Sequence, residues 1–241
     1  MANAEILYSL IIPAYNEEKL LGFCLDSLKT ATTEIASQTE IIVVDNASTD
    51  NTAEIARKKG AKVVFEGHRQ IARARNAGAK AALGRYLFFI DADTTISSNL
   101  FNEARKKLES GRIIGGGARV EFSHQPRGLA LFLLKFWTMI SKTLKLAAGC
   151  FIFCHADAFK EVGGFDTRLY ASEELNLSAK LKNLGRKKKM RFVILDMPGI
   201  ISSARKNEQT MVFIATIIVF TLFPAAVRFR RLCFLWYAHQ R

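Results

Sequence analysis

The 241-residue chain is long enough for one sizeable α/β domain with a tail and too short for two domains with independent cores. Hydrophobic residues make up 49% of the sequence and charged residues 24%, which excludes disordered and collagen-like classes. Lysine and arginine number 35 against 22 acidic residues, and the net charge of +13 favours anionic partners such as nucleotides, phosphates, acidic lipid surfaces or nucleic acid.

The first residues, MANAEILYSLIIPAYNEE, do not resemble a secretion signal. They lack a basic segment followed by a small-residue cleavage site, and Pro13 interrupts their apolar run. We therefore expect the start of the chain to stay in the cytoplasm.

The first half of the chain alternates β-rich runs with segments of helical periodicity. Strands are predicted at 8–13, 40–45, 61–65 and 85–91, and helices at 17–31, 48–60 and 69–84. Repeated βα units of this length predict a mainly parallel sheet covered by helices on both faces. Such sheets bind ligands at the carboxyl ends of their strands.

Three of these predicted strands end in polar sequence, namely PAYNEE, DNASTD and DADTT. A single Asp or Asn at such a place is explained equally well as a helix N-cap. Three together, at strand ends that share one edge of a sheet, predict a binding site there.

The second half is less regular. A strand is predicted at 112–122, where GGGARV fails the spacing of a dinucleotide fingerprint. The apolar stretch 128–149 predicts either a core helix or a helix at a lipid interface. A strand, a short helix and a glycine turn are predicted at 149–166, and a helix with an acidic start at 172–185.

The tail is different in composition. Residues 211–227 carry no charge. The length of this segment is at the lower limit for a helix that spans a membrane, and Pro224 would bend such a helix. Basic residues flank the segment on both sides, so the positive-inside rule does not predict its orientation in a membrane. Basic clusters beside apolar segments are attracted to an anionic cytoplasmic leaflet. Residues 1–206 are predicted to form one domain, and residues 207–241, which follow it in the sequence, are predicted to associate with a membrane. A full span, a monotopic or re-entrant helix and a packed core helix all stay open.

Two carboxylates, Asp91 and Asp93, end the fourth predicted strand. Side chains two apart on a strand point to the same face, so these acids can converge on one point. Clustered carboxylates suit a hard divalent ion, Mg²⁺ or Mn²⁺, that keeps positions for water and diphosphate oxygens. The alternative is a pair of solvated turn acids.

Five blocks of sequence, in order and spacing, resemble family 2 glycosyltransferases of the GT-A fold over residues 6 to about 196. They are IIPAYNEEKLLGFCLDSL, EIIVVDNASTDNTAEIA, ARARNAGAKAALGRYLFFIDADT, VGGFD and EELNLSAKLKNLG. The resemblance implies an inverting enzyme that uses a nucleotide-diphosphate sugar and a divalent metal. No Q-x-x-R-W block follows, which favours a single transfer over a processive synthase.

The resemblance also implies roles for single residues on the donor side. Pro13, Ala14, Tyr15, Asn16 and Glu17 match the loop that holds the nucleoside, with Glu17 near the ribose.

Further along the chain, Asp45 matches the acid that reads the base, and Asn46 stands where many members have a second aspartate. Arg75 matches a basic residue near the diphosphate, where a guanidinium offers paired donors to phosphate oxygens. Asp93 matches the principal metal ligand, and Asp91 the acid nearer the nucleotide sugar and ribose.

An inverting transfer needs a base that takes the proton of the acceptor hydroxyl. In the family it is the second acid of a Glu-Asp pair at a helix start, which matches Glu174, with Glu173 before it. From the residues alone, both acids are also explained by a favourable interaction with the helix dipole.

The resulting hypothesis is a membrane-associated glycosyltransferase at the cytoplasmic face with a lipid or lipid-linked acceptor. The alternative is an inactive nucleotide-sugar-binding or scaffold protein on the same fold, suggested by Asn46 and by the Glu173-Glu174 pair. A nucleic-acid partner is not expected, because no stacking aromatics are interleaved with the basic residues.

Six further residues are predicted to be structural. The cysteines form no CxxC pair and lie among apolar residues, which predicts buried reduced thiols, and the two isolated histidines are predicted to be structural or surface residues. They are Cys24, Cys150, Cys154, Cys233, His124 and His155.

Overall fold

The computed structural model describes residues 5–118, 150–196, 200–202, 227–229 and 233. The predicted helix at 128–149 and most of the predicted tail lie outside these residues, as does His124. Within the described ranges, no helix combines the length and apolar character that a membrane crossing needs.

The predicted alternation of strands and helices is confirmed. The strands are β1 Tyr8–Ala14, β2 Thr39–Asp45, β3 Lys62–Phe65, β4 Tyr86–Ile90, β5 Thr94–Ile96, β6 Ile113–Ala118, β7 Phe151–His155, β8 Arg191–Leu195 and β9 Ile200–Ser202. The helices are α1 Leu21–Ala31, α2 Thr52–Lys58, α3 Ile71–Ala81, α4 Ser98–Glu109, α5 Ala156–Glu161 and α6 Glu173–Lys187, and a short 3₁₀ segment spans Thr33–Gln38.

Seven strands form one sheet in the order β3-β2-β1-β4-β7-β6-β8. Neighbouring strands are parallel except where β7 runs antiparallel to both β4 and β6. The prediction of a mostly parallel sheet is therefore confirmed. β5 and β9, which were not predicted, pair with each other in a small antiparallel sheet.

Helices cover both faces of the large sheet because its central strands are apolar on both sides. Along β1, Leu10 and Ile12 join the buried cluster that includes residues of α1 and α4, whereas Ile11 joins the cluster on the opposite face with residues of α3 and α6. Adjacent side chains of a strand point to opposite faces, so one apolar run supplies two cores.

The predicted first helix is too long by four residues. The predicted segment starts at Glu17, but α1 begins at Leu21. The backbone N–H groups of Glu17 and Glu18 donate instead to the side chains of Thr52 and Asp50, at 2.8 and 3.1 Å. These residues are therefore held in a turn against the loop that follows β2.

The structural assignment of the cysteines and of His155 is confirmed. All four cysteines are free and buried. A ring nitrogen of His155 lies 3.1 Å from the carbonyl oxygen of Ile113, and the ring packs edge-on against Tyr86.

Helix α3 lies unusually close to the sheet at Gly78. A Cβ atom at this position would overlap the side chain of Ile11 and lie 2.9 Å from Cγ2 of Val44. The missing side chain lets α3 approach β1 and β2, and α3 carries several of the polar residues described below.

We expect Gly78→Ala to destabilise the protein by about 1–3 kcal/mol, because overpacking forces the helix away from the sheet. Chemical denaturation measures the free energy of unfolding. Gly22→Ala in α1 is the matched control, since a Cβ there meets nothing within 4 Å. An equal loss of stability in both variants would contradict the close-packing argument.

Candidate nucleotide-binding and catalytic site

The loops after β1 and β2 are tied together by hydrogen bonds. The N–H of Asn16 donates to Ser48 Oγ at 3.1 Å, and the N–H of Thr49 donates to Asn16 Oδ1 at 2.8 Å. The N–H of Ser48 donates to the carboxylate of Asp45 at 2.9 Å. The nucleoside loop predicted from the sequence is therefore adjacent to Asp45, the residue predicted to read the base.

Three left-handed, non-glycine residues lie in loops of this region. They are Asn16 (φ 53°), Ala47 (φ 62°) and Ser172 (φ 62°), which follow β1, follow β2 and precede α6. Such conformations cost about 1–3 kcal/mol each and cluster at functional sites. Their placement favours a loop geometry that is selected for binding rather than for stability.

Asn46 has a structural role that the sequence did not reveal. Its Nδ2 donates to the carbonyl oxygens of Glu66 at 2.9 Å and His68 at 2.7 Å, and its Oδ1 accepts from the N–H of Gln70 at 3.0 Å. Only an amide can donate twice and also accept in this way, and a carboxylate would meet two carbonyl oxygens. Asn46 therefore clamps the loop that follows β3.

The two acids predicted to hold a metal lie in a turn. β4 ends at Ile90, one residue earlier than predicted, so strand alternation does not bring Asp91 and Asp93 together. The N–H of Thr94 donates to the carbonyl oxygen of Asp91 at 3.0 Å, and the N–H of Asp91 donates to that of Cys150 at 3.3 Å. A tight turn leading into β5 positions both acids.

The thiol of Cys24 lies near the two acids of this turn and near Glu17. Burial raises its pKa, and the nearby carboxylates of Asp93, Asp91 and Glu17 raise it further. Its Sγ lies 3.7 Å from the carbonyl oxygen of Asp91. The three acids predicted to meet the ribose and the metal therefore all lie near enough to Cys24 to affect its pKa.

The donor set at this turn fits a hard divalent ion that also binds the substrate. In the part of the chain that the structure describes, no three His, Cys, Asp or Glu side chains are arranged to hold a metal alone. Mg²⁺ and Mn²⁺ commonly take one or two carboxylates and complete their shell with phosphate oxygens and water. Asp93 and Asp91 could supply that protein share.

Arg75 connects the acidic turn to α6. It is 1% exposed, and its two terminal nitrogens donate to Glu173 Oε1 at 2.7 Å and Asp91 Oδ1 at 2.9 Å. Its guanidinium also lies over the ring of Phe165. The sequence predicted that Arg75 lies near the diphosphate of the donor. In the structure both of its terminal nitrogens bind protein carboxylates, so contact with a diphosphate stays a prediction.

The acid pair at the start of α6 has two environments. Glu173 is 4% exposed and receives the Arg75 hydrogen bond. At Glu174, burial, followed by the negative charge of Glu173, raises the pKa to about 8. The cost of burying its charge therefore exceeds any benefit from the helix dipole.

Two polar residues of the α3 region hold the loop before α6, and sequence reasoning missed both. Gln70 Nε2 donates to the carbonyl oxygens of Thr167 and Leu169 at 2.8 and 2.9 Å. Asn76 exchanges two hydrogen bonds with the backbone of Phe165, at 2.9 and 3.0 Å. Their signal was the run RQIARARN, in which large polar residues interrupt a helix otherwise built from alanine and glycine.

The few described C-terminal residues also contact this loop. The N–H of Tyr170 donates to the carbonyl oxygen of Val227 at 2.7 Å. Burial, followed by the charge of Glu173, raises the pKa of Cys233 to about 11. Residues near the end of the chain therefore lie beside the acidic start of α6.

A mostly parallel sheet with acids at its carboxyl edge and an acid pair on a neighbouring helix defines an α/β protein of the GT-A class. Residues 9–163 match the model of the family described as Glycosyl transferase family 2, and the chain belongs to this family.

Individual relatives agree with this assignment. The chain is 36% identical over 118 residues to glycosyltransferase EpsJ of Bacillus subtilis (strain 168), covering 46% of this chain and 33% of EpsJ. It is 28% identical over 189 residues to glycosyltransferase AglE of Haloferax volcanii, covering 73% of this chain and 62% of AglE. The chain thus spans about a third and about three fifths of these relatives' lengths.

Solved structures confirm the GT-A fold. The mannosyltransferase PcManGT from Pyrobaculum calidifontis, solved in complex with GDP-Man and Mn²⁺, superposes with a TM-score of 0.72 at 19% identity. The alignment covers 92% of this chain and 64% of that protein.

The raised pKa of Glu174 predicts a pH-dependent stability. In the unfolded chain its carboxyl ionises near the ordinary value of 4.5, whereas in the folded protein it keeps its proton up to about pH 8. Between these values the folded state binds more protons, so its stability falls as the pH rises. Glu174→Gln removes this loss, and we expect the variant to gain about 1 kcal/mol or more over wild type between pH 5 and pH 8.5.

Urea unfolding at a series of pH values measures this difference. Glu34→Gln, at an exposed position, is the control and should follow the wild-type curve. Parallel curves for wild type and Glu174→Gln would show that Glu174 is not held neutral by its surroundings.

Proposed function

We propose that the protein moves a single sugar, with inversion, from a nucleotide-diphosphate donor to an acceptor hydroxyl or a lipid-linked phosphate. One observation carries the proposal: buried Arg75 joins the acidic turn after β4 to the acid pair that begins α6. Membership of the family and the GDP-Man and Mn²⁺ complex of the structurally similar mannosyltransferase support the same reaction class.

The donor lies, in this proposal, along the carboxyl edge of the sheet. The loop of Pro13, Ala14, Tyr15, Asn16 and Glu17 surrounds the nucleoside, with Glu17 at the ribose. The hydrogen bonds between this loop and the loop after β2 support the assignment, because they fix the backbone before any ligand arrives.

On the same edge, Asp45 accepts a base N–H. Its carboxylate is held in place by the N–H of Ser48. Asp93 and Asp91 would hold Mg²⁺ or Mn²⁺, and the ion would neutralise charge on the departing diphosphate. Arg75 orients Asp91 through its terminal nitrogen, so one carboxylate oxygen of Asp91 is held by the protein itself.

Glu174 is the proposed base, and Glu173 holds its helix in place. Glu173 contributes one carboxylate oxygen to the buried ion pair with Arg75, which suits an anchor. The raised pKa of Glu174 lies near neutral pH, so an ionised fraction is present, and that carboxylate is a stronger proton acceptor than an ordinary glutamate. Accepting the proton of the acceptor hydroxyl would also relieve the repulsion between Glu174 and Glu173.

The inactive-scaffold alternative loses one of its two supports. It relied partly on Asn46, which replaces an aspartate common in the family. The amide of Asn46 makes three hydrogen bonds to the loop after β3, so its presence is explained by this loop and not by a lost catalytic function.

A donor screen followed by two variants tests the reaction. UDP-glucose, UDP-N-acetylglucosamine and GDP-mannose are scored by thermal shift with and without Mn²⁺, because a ligand that binds the folded state stabilises it. We expect Asp93→Asn to lose the Mn²⁺-dependent part of the shift. Glu174→Gln should keep the shift but lose transfer or donor hydrolysis by about 10²- to 10⁴-fold.

Glu34→Gln serves as the control for the loss of one carboxylate at an exposed position. An active wild type whose turnover survives both Asp93→Asn and Glu174→Gln would refute the mechanism.

Membrane association at the cytoplasmic face, through a peripheral, monotopic or single-pass tail, is part of the proposal. Its support is the apolar composition of residues 211–227 together with an exposed basic group at the end of α6. That group consists of Arg186, Lys187, Lys188, Lys189 and Arg191. Such clusters favour anionic lipid surfaces.

Vesicle co-sedimentation of the full chain tests this attachment. We expect stronger binding to vesicles with about 30% phosphatidylserine than to pure phosphatidylcholine, and weaker binding of Lys187→Glu/Lys189→Glu, since each basic residue near the surface contributes about 1 kcal/mol. Lys106→Glu/Lys107→Glu on α4 is the control with the same charge change. Equal binding to both lipids, or an equal loss in the control, would contradict the role of this group.

A further inference from the structure

Gln70 is a buried polar residue at a junction of the fold. It is 1% exposed and directly precedes α3. Its N–H donates to Asn46 Oδ1 at 3.0 Å, just beyond the end of β2, and its carbonyl oxygen accepts from the N–H of Ala74 in α3 at 3.0 Å. The backbone of Gln70 is therefore held both by the loop after β2 and by α3.

The side-chain amide of Gln70 uses both of its N–H donors on one loop. Its Nε2 donates to the carbonyl oxygens of Thr167 and Leu169 at 2.8 and 2.9 Å, and its Oε1 accepts from Arg73 Nε at 3.2 Å. Leaving a buried amide unpaired costs about 1–3 kcal/mol. The loop before α6 is therefore fixed at the place where these donors reach it.

Helix α3 and the residue before it hold the acid pair at two points. Gln70 binds the loop before α6, and Arg75, further along α3, binds Glu173 in the first turn of α6. Ser172 lies between these two anchors in a left-handed conformation, with φ 62°. A short segment that is fixed at both ends can follow few paths. The position of Glu174, which comes directly after this segment, therefore depends on both anchors.

We propose that Gln70 is a positioning residue for the transfer reaction. It holds the loop before α6 in the place that aims Glu174 at the acceptor hydroxyl, and its bond to Asn46 fixes that place relative to the loops around the nucleoside. In this proposal Gln70 acts through the loop and touches neither donor nor acceptor. The inference rests on the proposed function, because it takes Glu174 as the base.

Loss of the two amide bonds should slow the reaction without weakening donor binding. A misplacement of about 1 Å can lower a rate by about 10²-fold. The loops after β1 and β2 are tied to each other by hydrogen bonds that do not involve the side chain of Gln70. The turnover number and the donor affinity should therefore separate, whereas a general loss of structure would lower both.

Two substitutions of different severity test this role. Gln70→Met keeps the length of the side chain but has no N–H to donate to the loop. Gln70→His keeps one ring N–H that can donate to a loop carbonyl. Arg73→Gln is the matched control, because Arg73 is exposed and its loss removes only the bond to Gln70 Oε1.

Hydrolysis of the best donor from the screen gives kcat, and calorimetric titration with the matching nucleoside diphosphate and Mn²⁺ gives Kd, both on the full chain. We expect Gln70→Met to lower kcat by about 10- to 100-fold, with Kd within about threefold of wild type. Gln70→His should lose less. Arg73→Gln should stay within about twofold of wild type in both quantities.

Hydrogen exchange of the same variants without ligand locates the change. In Gln70→Met, the amides of residues 167–172 should exchange faster than in wild type, because local opening of this loop becomes easier. The amides of α4 should exchange at the wild-type rate. This comparison also shows whether the variant is folded.

Four results would overturn the inference while leaving the proposed function intact. They are wild-type kcat in Gln70→Met, a loss of donor affinity that parallels the loss of kcat, no advantage of Gln70→His over Gln70→Met, and exchange that rises in α4 as much as in the loop. An equal loss of kcat in Arg73→Gln would contradict it as well. If the wild-type protein hydrolyses none of the donors in the screen, the proposed function itself fails and the positioning role fails with it.

Discussion

The site depends on one buried cation. Arg75 is almost fully enclosed, and a charge in that position is tolerated only when carboxylates pair with it closely. Its partners come from distant parts of the chain: Asp91 from the turn after β4, and Glu173 from the first turn of α6. One side chain therefore fixes the distance between the proposed metal-binding turn and the helix that carries the proposed base. The same ion pair keeps Glu173 in place beside Glu174, whose pKa is raised partly by that neighbouring charge.

The surroundings of Arg75 are organised by α3 and by the loop that precedes it. Gly78 lets the helix lie directly on β1 and β2, and Asn76 and Gln70 bind the loop in front of α6. Asn46 fixes the loop that leads into α3. Hydrogen bonds thus run from the end of β2 through Gln70 to the loop before α6, and they join the nucleoside side of the site to that loop.

Local sequence signals predicted much of this arrangement. The apolar runs predicted the parallel strands, and the polar strand ends predicted the edge where the candidate site is proposed. The short strands β5 and β9 were missed, because three-residue segments carry too little pattern. The partners of Arg75 and the function of Asn46 in holding the β3–α3 loop were also missed, since each depends on contacts between residues far apart in the chain. The pKa of Glu174 depends on burial, which no motif encodes.

The charges of the described residues suit the proposed direction of proton transfer. On the donor side, Asp91 and Asp93 would be neutralised by a divalent ion, and Arg75 already balances Asp91. On the acceptor side, Glu174 is close to the negative charge of Glu173, so it gains stability by taking a proton. Val227 and Cys233 lie beside this same helix start, on the proposed acceptor side of the site. An acceptor carried on a lipid would therefore reach the base next to the segment that the proposal assigns to the membrane.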